Sequence, residues 1–233
     1  MSNGDLNFAC VCYGDKYSVE YVQKLYNMAK RNITKPFKFY AFTDHVKMHK
    51  MVSEEINVVK FPMHDLEGWW NKMQLFHPDV ELPGTTLYMD LDVVITSPID
   101  CFYDFEPGNH FVGMNDFNPI TGLWNSSIMR FNQKEVSKHL WARFVGNRPE
   151  WLRRFPGDQN LISCLIKDDP GALSVSSFPD KWTQSFKWYD RSGTRYSRQD
   201  MTFEHNGESL VTVFHGQPNP HETDKEWIKS HWK

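Results

Sequence analysis

The sequence predicts an α/β fold: a mostly parallel central sheet with helices on both of its faces. Three observations lead there. Apolar runs of strand length, rich in β-branched and aromatic residues, recur along the chain, and between them lie segments whose apolar residues fall at helical spacing. The first strand-like run leads through Gly14-Asp15 directly into a helical segment, the start of a β-turn-α unit. A chain of 233 residues can bury a core of the size such a sheet needs, and one domain over 1–233 is expected.

In order, 8–13 reads as the first strand, and Val19, Val22, Leu25, Tyr26 and Ala29 mark the inner face of the helix that follows. A second strand, 37–42, ends at Thr43-Asp44, a third spans 56–61, and 73–76 is the core of a short helix. The fourth strand reads as one element over 86–95. Beyond it come a strand at 126–131, helices at 135–145 and 159–167, and a strand at 210–214. The stretch 179–206 is polar, aromatic and basic, with Lys181, Lys187, Arg191, Arg195 and Arg198, and reads as a long functional loop or lid. Ligands of such sheets bind beyond the carboxyl ends of the strands, so chemistry is expected near Tyr13, Thr43 and the end of the fourth strand.

The fourth strand carries the most informative residues. Its apolar run is broken by Asp90 and Asp92, and the run resumes at once through Val93, Val94 and Ile95. On a strand, residues two apart share a face, so two carboxylates there repel unless a cation or donors separate them. Mg²⁺ or Mn²⁺, completed by substrate phosphates, does that. The plainer alternative is a strand that ends near Met89, with the aspartates in a turn.

His215-Gly216 follows the apolar 210–214 run; the His is a candidate third ligand or a structural residue, and the Gly lets the backbone approach a ligand. Lys72, after Trp69-Trp70-Asn71, is either a snorkelling lysine or a point charge for a phosphate. Asn125-Ser126-Ser127 and Gly157-Asp158-Gln159 are polar clusters that open apolar elements, and on spacing alone Asp158 reads as a helix N-cap.

A net charge of −3 gives no positive field for nucleic acid, so no such partner is expected. Cys10, Cys12, Cys101 and Cys164 lack the paired spacing of a zinc site and suit a reduced, cytoplasmic chain. The N-terminus has no basic-then-apolar leader pattern, and no segment approaches the ~20 apolar residues of a transmembrane helix.

Taken in order, Tyr13-Gly14-Asp15-Lys16-Tyr17, Asn71-Lys72-Met73, Asp90-Leu91-Asp92, Asn125-Ser126-Ser127, Asp158-Gln159 and His215-Gly216 resemble the motifs of the glycogenin and lipopolysaccharide galactosyltransferase family. The resemblance implies a GT-A, Rossmann-like fold with a nucleotide-binding half near 1–100 and an acceptor half near 101–233. It implies a metal-dependent glycosyltransferase that moves a sugar from a nucleoside diphosphate sugar, a UDP-sugar by expectation, to a glycan, lipid-linked or protein acceptor with retention. By the same similarity Tyr13 and Tyr17 border the nucleobase, Asp44 lies near its polar edge, and Lys72 holds the phosphate or sugar. Asp90, Asp92 and His215 take Mn²⁺ or Mg²⁺, while Asn125, Ser126, Asp158 and Gln159 line the sugar pocket, with Asp158, Gln159 and Asn125 the catalytic candidates.

Two positions depart from the family. Asn219-Pro220-His221 stands where a Lys-Pro-Trp reaches the diphosphate, so Lys187, or an arginine of 191–198, is the expected substitute cation. Ser127 replaces a glycine beside the sugar. The rival readings are a metal-dependent nucleotidyltransferase, which usually has a Gly-rich basic loop near its first strand where this chain has Gly14 alone, and a non-catalytic glycan-binding module, which leaves the aspartate pair without a purpose.

Overall fold

The computed structural model describes residues 6–188 and 204–233. Strand β1 (Leu6–Cys12) is apolar and buried on both faces, as a central parallel strand must be. Helix α1 (Val19–Asn32) follows, burying Val19, Val22, Leu25, Tyr26 and Ala29 as the periodicity requires. Strands β2 (Lys38–Thr43) and β3 (Ile56–Lys60) pair parallel outward from β1. Gly68–Phe76 is a 3₁₀ helix, longer than the short helix expected at 73–76, and residues 71–76 of it are all buried.

Strand β4 (Thr85–Met89) adds parallel to the other side of β1. Here the sequence expectation fails: 86–95 is not one strand. The chain leaves the large sheet after Met89, turns at Leu91-Asp92, and enters a second sheet as β5 (Val93–Ile95). Both pieces are apolar because both are buried, so hydropathy does not register the change of sheet. Asp90 and Asp92 therefore do not share one strand face.

Helix α2 (Asp100–Asp104) and strand β6 (Phe111–Asn115) come next, then β7 (Trp124–Phe131), which runs antiparallel to both β4 and β6. The helix expected at 135–145 is a succession of α3 (Gln133–Val136), a π-helical segment Ser137–Trp141 and α4 (Ala142–Gly146). Helices α5 (Arg148–Arg154) and α6 (Asp158–Lys167) lead to β8 (Val175–Ser177), the edge strand beside β6. Among the described residues the large sheet thus has seven strands, in the order β3-β2-β1-β4-β7-β6-β8.

The second sheet joins β5 to β10 (Val211–Val213) and β9 (Thr183–Ser185), and α7 (Glu226–His231) follows. Residues 183–185 were expected in a loop; they form β9 instead, paired parallel to β10. Arg191, Arg195 and Arg198 lie outside the described residues. Alternate residues of the central strands feed two cores: Phe8, Cys10, Leu87 and Met89 pack with α1, β5 and β10, while Ala9, Val11 and Tyr88 pack with the 3₁₀ helix and α6. Helices thus cover both faces, as expected.

Candidate functional site

Strand order reverses direction of growth at β1, with β2 on one side and β4 on the other, and the site opens beyond the carboxyl ends of β1 and β4. Asp90, the first residue past β4, is fixed to the large sheet by its N–H, which donates to the Ser127 carbonyl at 2.9 Å. Its Oδ1 accepts the Tyr88 hydroxyl at 2.6 Å and stands 3.0 Å from Lys72 Nζ. Lys72 reaches it from the 3₁₀ helix, on the Tyr88 face of β4.

The lysine is buried, so its head does not snorkel to water. Its ammonium also pairs with Asp158 Oδ2 at 3.1 Å and donates to Ser126 Oγ at 3.0 Å. Burial alone would push that ammonium down; the Asp158 and Asp90 charges outweigh it and hold it above its ordinary value. At Asp90 burial pulls upward, but the Lys72 charge and the Tyr88 hydrogen bond prevail and hold the carboxyl below the usual range.

Asp92, the turn residue before β5, is tied to the other sheet. Its carbonyl accepts from Phe214 N–H at 3.0 Å, and its Oδ2 accepts from Gly216 N–H at 2.8 Å. The second bond depends on a left-handed corner, His215 at φ 57° and Gly216 at φ 80°. Glycine adopts that conformation freely; a histidine there is strained, as residues at functional turns often are. Burial first, then the Asp90 charge, push the Asp92 carboxyl up, against the Gly216 N–H, the Lys16 charge and the Tyr17 hydroxyl.

Behind these groups Asn125 Oδ1 accepts from Ser127 N–H at 2.9 Å and Gln159 Oε1 from Ser126 N–H at 3.4 Å. Asp158 is not the N-cap of α6: Gly157 holds that position, and the Asp158 side chain turns inward to Lys72. A cation 86 positions earlier outcompetes the local cap, which spacing within the helix does not reveal.

Tyr13, Tyr17, Lys72, Asp90, Asp92, Asn125, Ser126, Asp158, Gln159, His215 and Gly216 line one cavity of about 340 Å³. Two expected residues stand off it. Asp44 accepts from Gly14 N–H at 3.1 Å, bracing the turn after β1, and Lys187 Nζ donates to the His215 carbonyl at 2.8 Å, behind the corner. The sequence reading missed Tyr88, Lys16 and Trp69, which also line the cavity. It also missed Asp116, whose carboxylate accepts from Asn125 and Gln159 at 3.4 and 3.3 Å. Asp116 sits just past β6, a strand that was not read; a charged residue closing the apolar run 111–114 was its only signal.

Among the described residues no three His, Cys, Asp or Glu side chains stand together as a ready-made metal cage. The donor set nonetheless suits Mg²⁺ or Mn²⁺. Asp90 and Asp92 offer hard oxygens to one cavity, Asp92 is buried close enough to the Asp90 charge for its carboxyl to be pushed up, and such ions are commonly held by one or two carboxylates plus substrate phosphates.

No protein-family model and no curated protein matches the sequence. Solved structures do match. The glycosyltransferase GlyE of Streptococcus pneumoniae TIGR4 superposes with a TM-score of 0.69 at 14% identity, over 94% of this chain and 56% of GlyE. The galactosyltransferase LgtC, in complex with donor and acceptor sugar analogs, gives 0.64 at 11% identity over 97% of this chain and 96% of its own. Mouse xyloside xylosyltransferase 1 gives 0.54 at 12% identity over 92% and 98%. This chain spans just over half the length of GlyE. At such identities the likeness establishes the fold, which is that of GT-A glycosyltransferases.

Proposed function

We propose that the chain is a glycosyltransferase that moves a sugar from a nucleoside diphosphate sugar, a UDP-sugar, to a glycan, lipid-linked or protein acceptor with retention. The observation that carries this reading is the convergence of Asp90 and Asp92, from two sheets, on a cavity that also holds Asn125, Asp158 and Gln159. The GT-A fold supports it.

In this reading Asp90, Asp92 and His215 hold Mn²⁺ or Mg²⁺, which when bound supplies positive charge against the departing diphosphate. Burial first and the Asp90 charge second push the Tyr13 phenol up to about 12, so it meets the nucleoside as a neutral donor. Lys16, exposed on the cavity rim beside Tyr17, is the cation we assign to the phosphates, in preference to Lys187, which supports the His215 corner. Asp158, neutralised in part by Lys72, orients sugar hydroxyls; Gln159 and Asn125, braced by Asp116, line the face where the acceptor hydroxyl attacks.

The test is a thermal-shift titration with UDP, GDP and ADP, with Mn²⁺ and with EDTA, beside a donor-hydrolysis assay. UDP with Mn²⁺ is expected to raise the melting temperature and each alone to do little, because metal and diphosphate complete each other's coordination. Equal stabilisation in EDTA removes the metal from the reading.

A further inference from the structure

Trp69 is set at the mouth of the cavity in a way the donor chemistry does not use. It is 51% exposed, a large apolar surface left in water, yet it lines the same cavity as Asp90 and Asp158. Its neighbour Trp70 packs inward, its ring stacked at 6.5 Å on Phe144. The backbone beneath the pair is braced by side-chain hydrogen bonds. Asn71 Nδ2 donates to the carbonyls of Leu66 and Gly68, and Gln74 ties the segment to Met63 through Met63 N–H and to Asn71 Oδ1.

The indole also has a seat made for it. A Cβ at Gly157 would stand 3.3 Å from Trp69 Nε1, tighter than most side-chain contacts, and 3.4 Å from Cδ1, at ordinary van der Waals distance. Gly157 is extended, at φ −173° and ψ 174°, a conformation open to any residue, so the contact rather than the backbone is what its missing side chain serves. The indole therefore lies against Gly157 at the start of α6, in the cavity that Asp158 and Gln159 also line.

We propose that Trp69 is a preformed stacking platform for a pyranose ring of the acceptor, which makes a glycan the acceptor class. The inference rests on the transferase reading above. A half-exposed indole presents a flat apolar face, which matches the apolar C–H face of a pyranose. Because the backbone that carries it is braced before binding, less ordering opposes the contact.

The test follows the Trp69 indole N–H resonance, assigned with Trp69→Phe, while methyl α- and β-glycosides of glucose and galactose, lactose and maltose are added at millimolar concentration. At least one sugar is expected to shift it. Trp69→Ala is expected to weaken that sugar by about tenfold and Trp69→Phe by less, the scale of one aromatic contact. Met51→Ala, at another exposed apolar residue, is expected to leave it unchanged. Melting temperatures confirm that the variants fold. A Trp69 signal indifferent to every sugar, or a Trp69→Ala protein that binds them as the parent does, overturns the proposal. A signal that responds to UDP instead overturns it too, making the indole a nucleobase contact. Sugar binding at Trp69 in a protein that ignores UDP with Mn²⁺ leaves the platform standing and removes the transferase reading.

Discussion

Asp90 and Asp92 differ more than their spacing suggests, and the difference is testable residue by residue. Asp90 is paired with Lys72 and Tyr88, so Asp90→Asn strips a charge partner from a buried ammonium and should cost on the order of 1–3 kcal/mol of metal-free stability. Asp92 is buried beside a like charge, so Asp92→Asn should leave the metal-free protein as stable or more so. Both should abolish donor turnover. Chemical denaturation of the two variants without metal, beside the hydrolysis assay, checks the asymmetry, and equal destabilisation would contradict it. Lys16→Ala should weaken UDP binding with Mn²⁺ by roughly ten- to a hundredfold, in line with ~1.5–3 kcal/mol for a hydrogen bond to a charged group. Lys187→Ala should do less, since that ammonium rests on the His215 carbonyl. Isothermal titration of both variants orders them.

Among the elements, β7 is held by a residue that hydropathy treats as an error. Arg130 is buried within that strand, and its guanidinium donates to the carbonyls of Tyr103, Phe105 and Glu106, the orphan groups where α2 ends. Arg130→Met fills the space but leaves those carbonyls unpaired. A loss on the order of 2–4 kcal/mol is expected by urea denaturation, with UDP affinity retained in the protein that remains folded. Strand β1 was legible as an unbroken apolar run, α1 because Val19, Val22, Leu25 and Ala29 lie on one helix face, and β2 because 38–43 is a short run with turn residues at its end. Strand β6 was not legible, since Gly113 and the loop after Asn115 interrupt its pattern. The site was legible as a set of residue types, because carboxylates, amides and a lysine stand out in apolar surroundings. Its wiring was not. Lys72 meets Asp158 and Asp116 meets Gln159 across separations that no local pattern encodes.

For the molecule as a whole, binding should be felt on both sheets. The Phe214 and Gly216 amides donate to Asp92, so their hydrogen exchange should slow when UDP and Mn²⁺ are added together, while amides of the distant edge strand β8 stay unchanged. Mass-spectrometric exchange on peptides covering 210–217 and 172–178 measures this; protection confined to β4 and β7 would contradict it. The crossing at Asp90-Leu91-Asp92 has a mechanical consequence as well. Asp90 is clamped to β7 through Ser127, and Asp92 to the end of β10 through Phe214 and Gly216. The pair is thus anchored like the jaws of a caliper, one carboxylate on each sheet, and a change in how the sheets pack is expected to change its gap. If the pair holds Mn²⁺ as proposed, Val94→Ala or Val211→Ala, at buried side chains of the second sheet that line no part of the cavity, should weaken Mn²⁺ binding with UDP by isothermal titration, and unchanged affinity would contradict this.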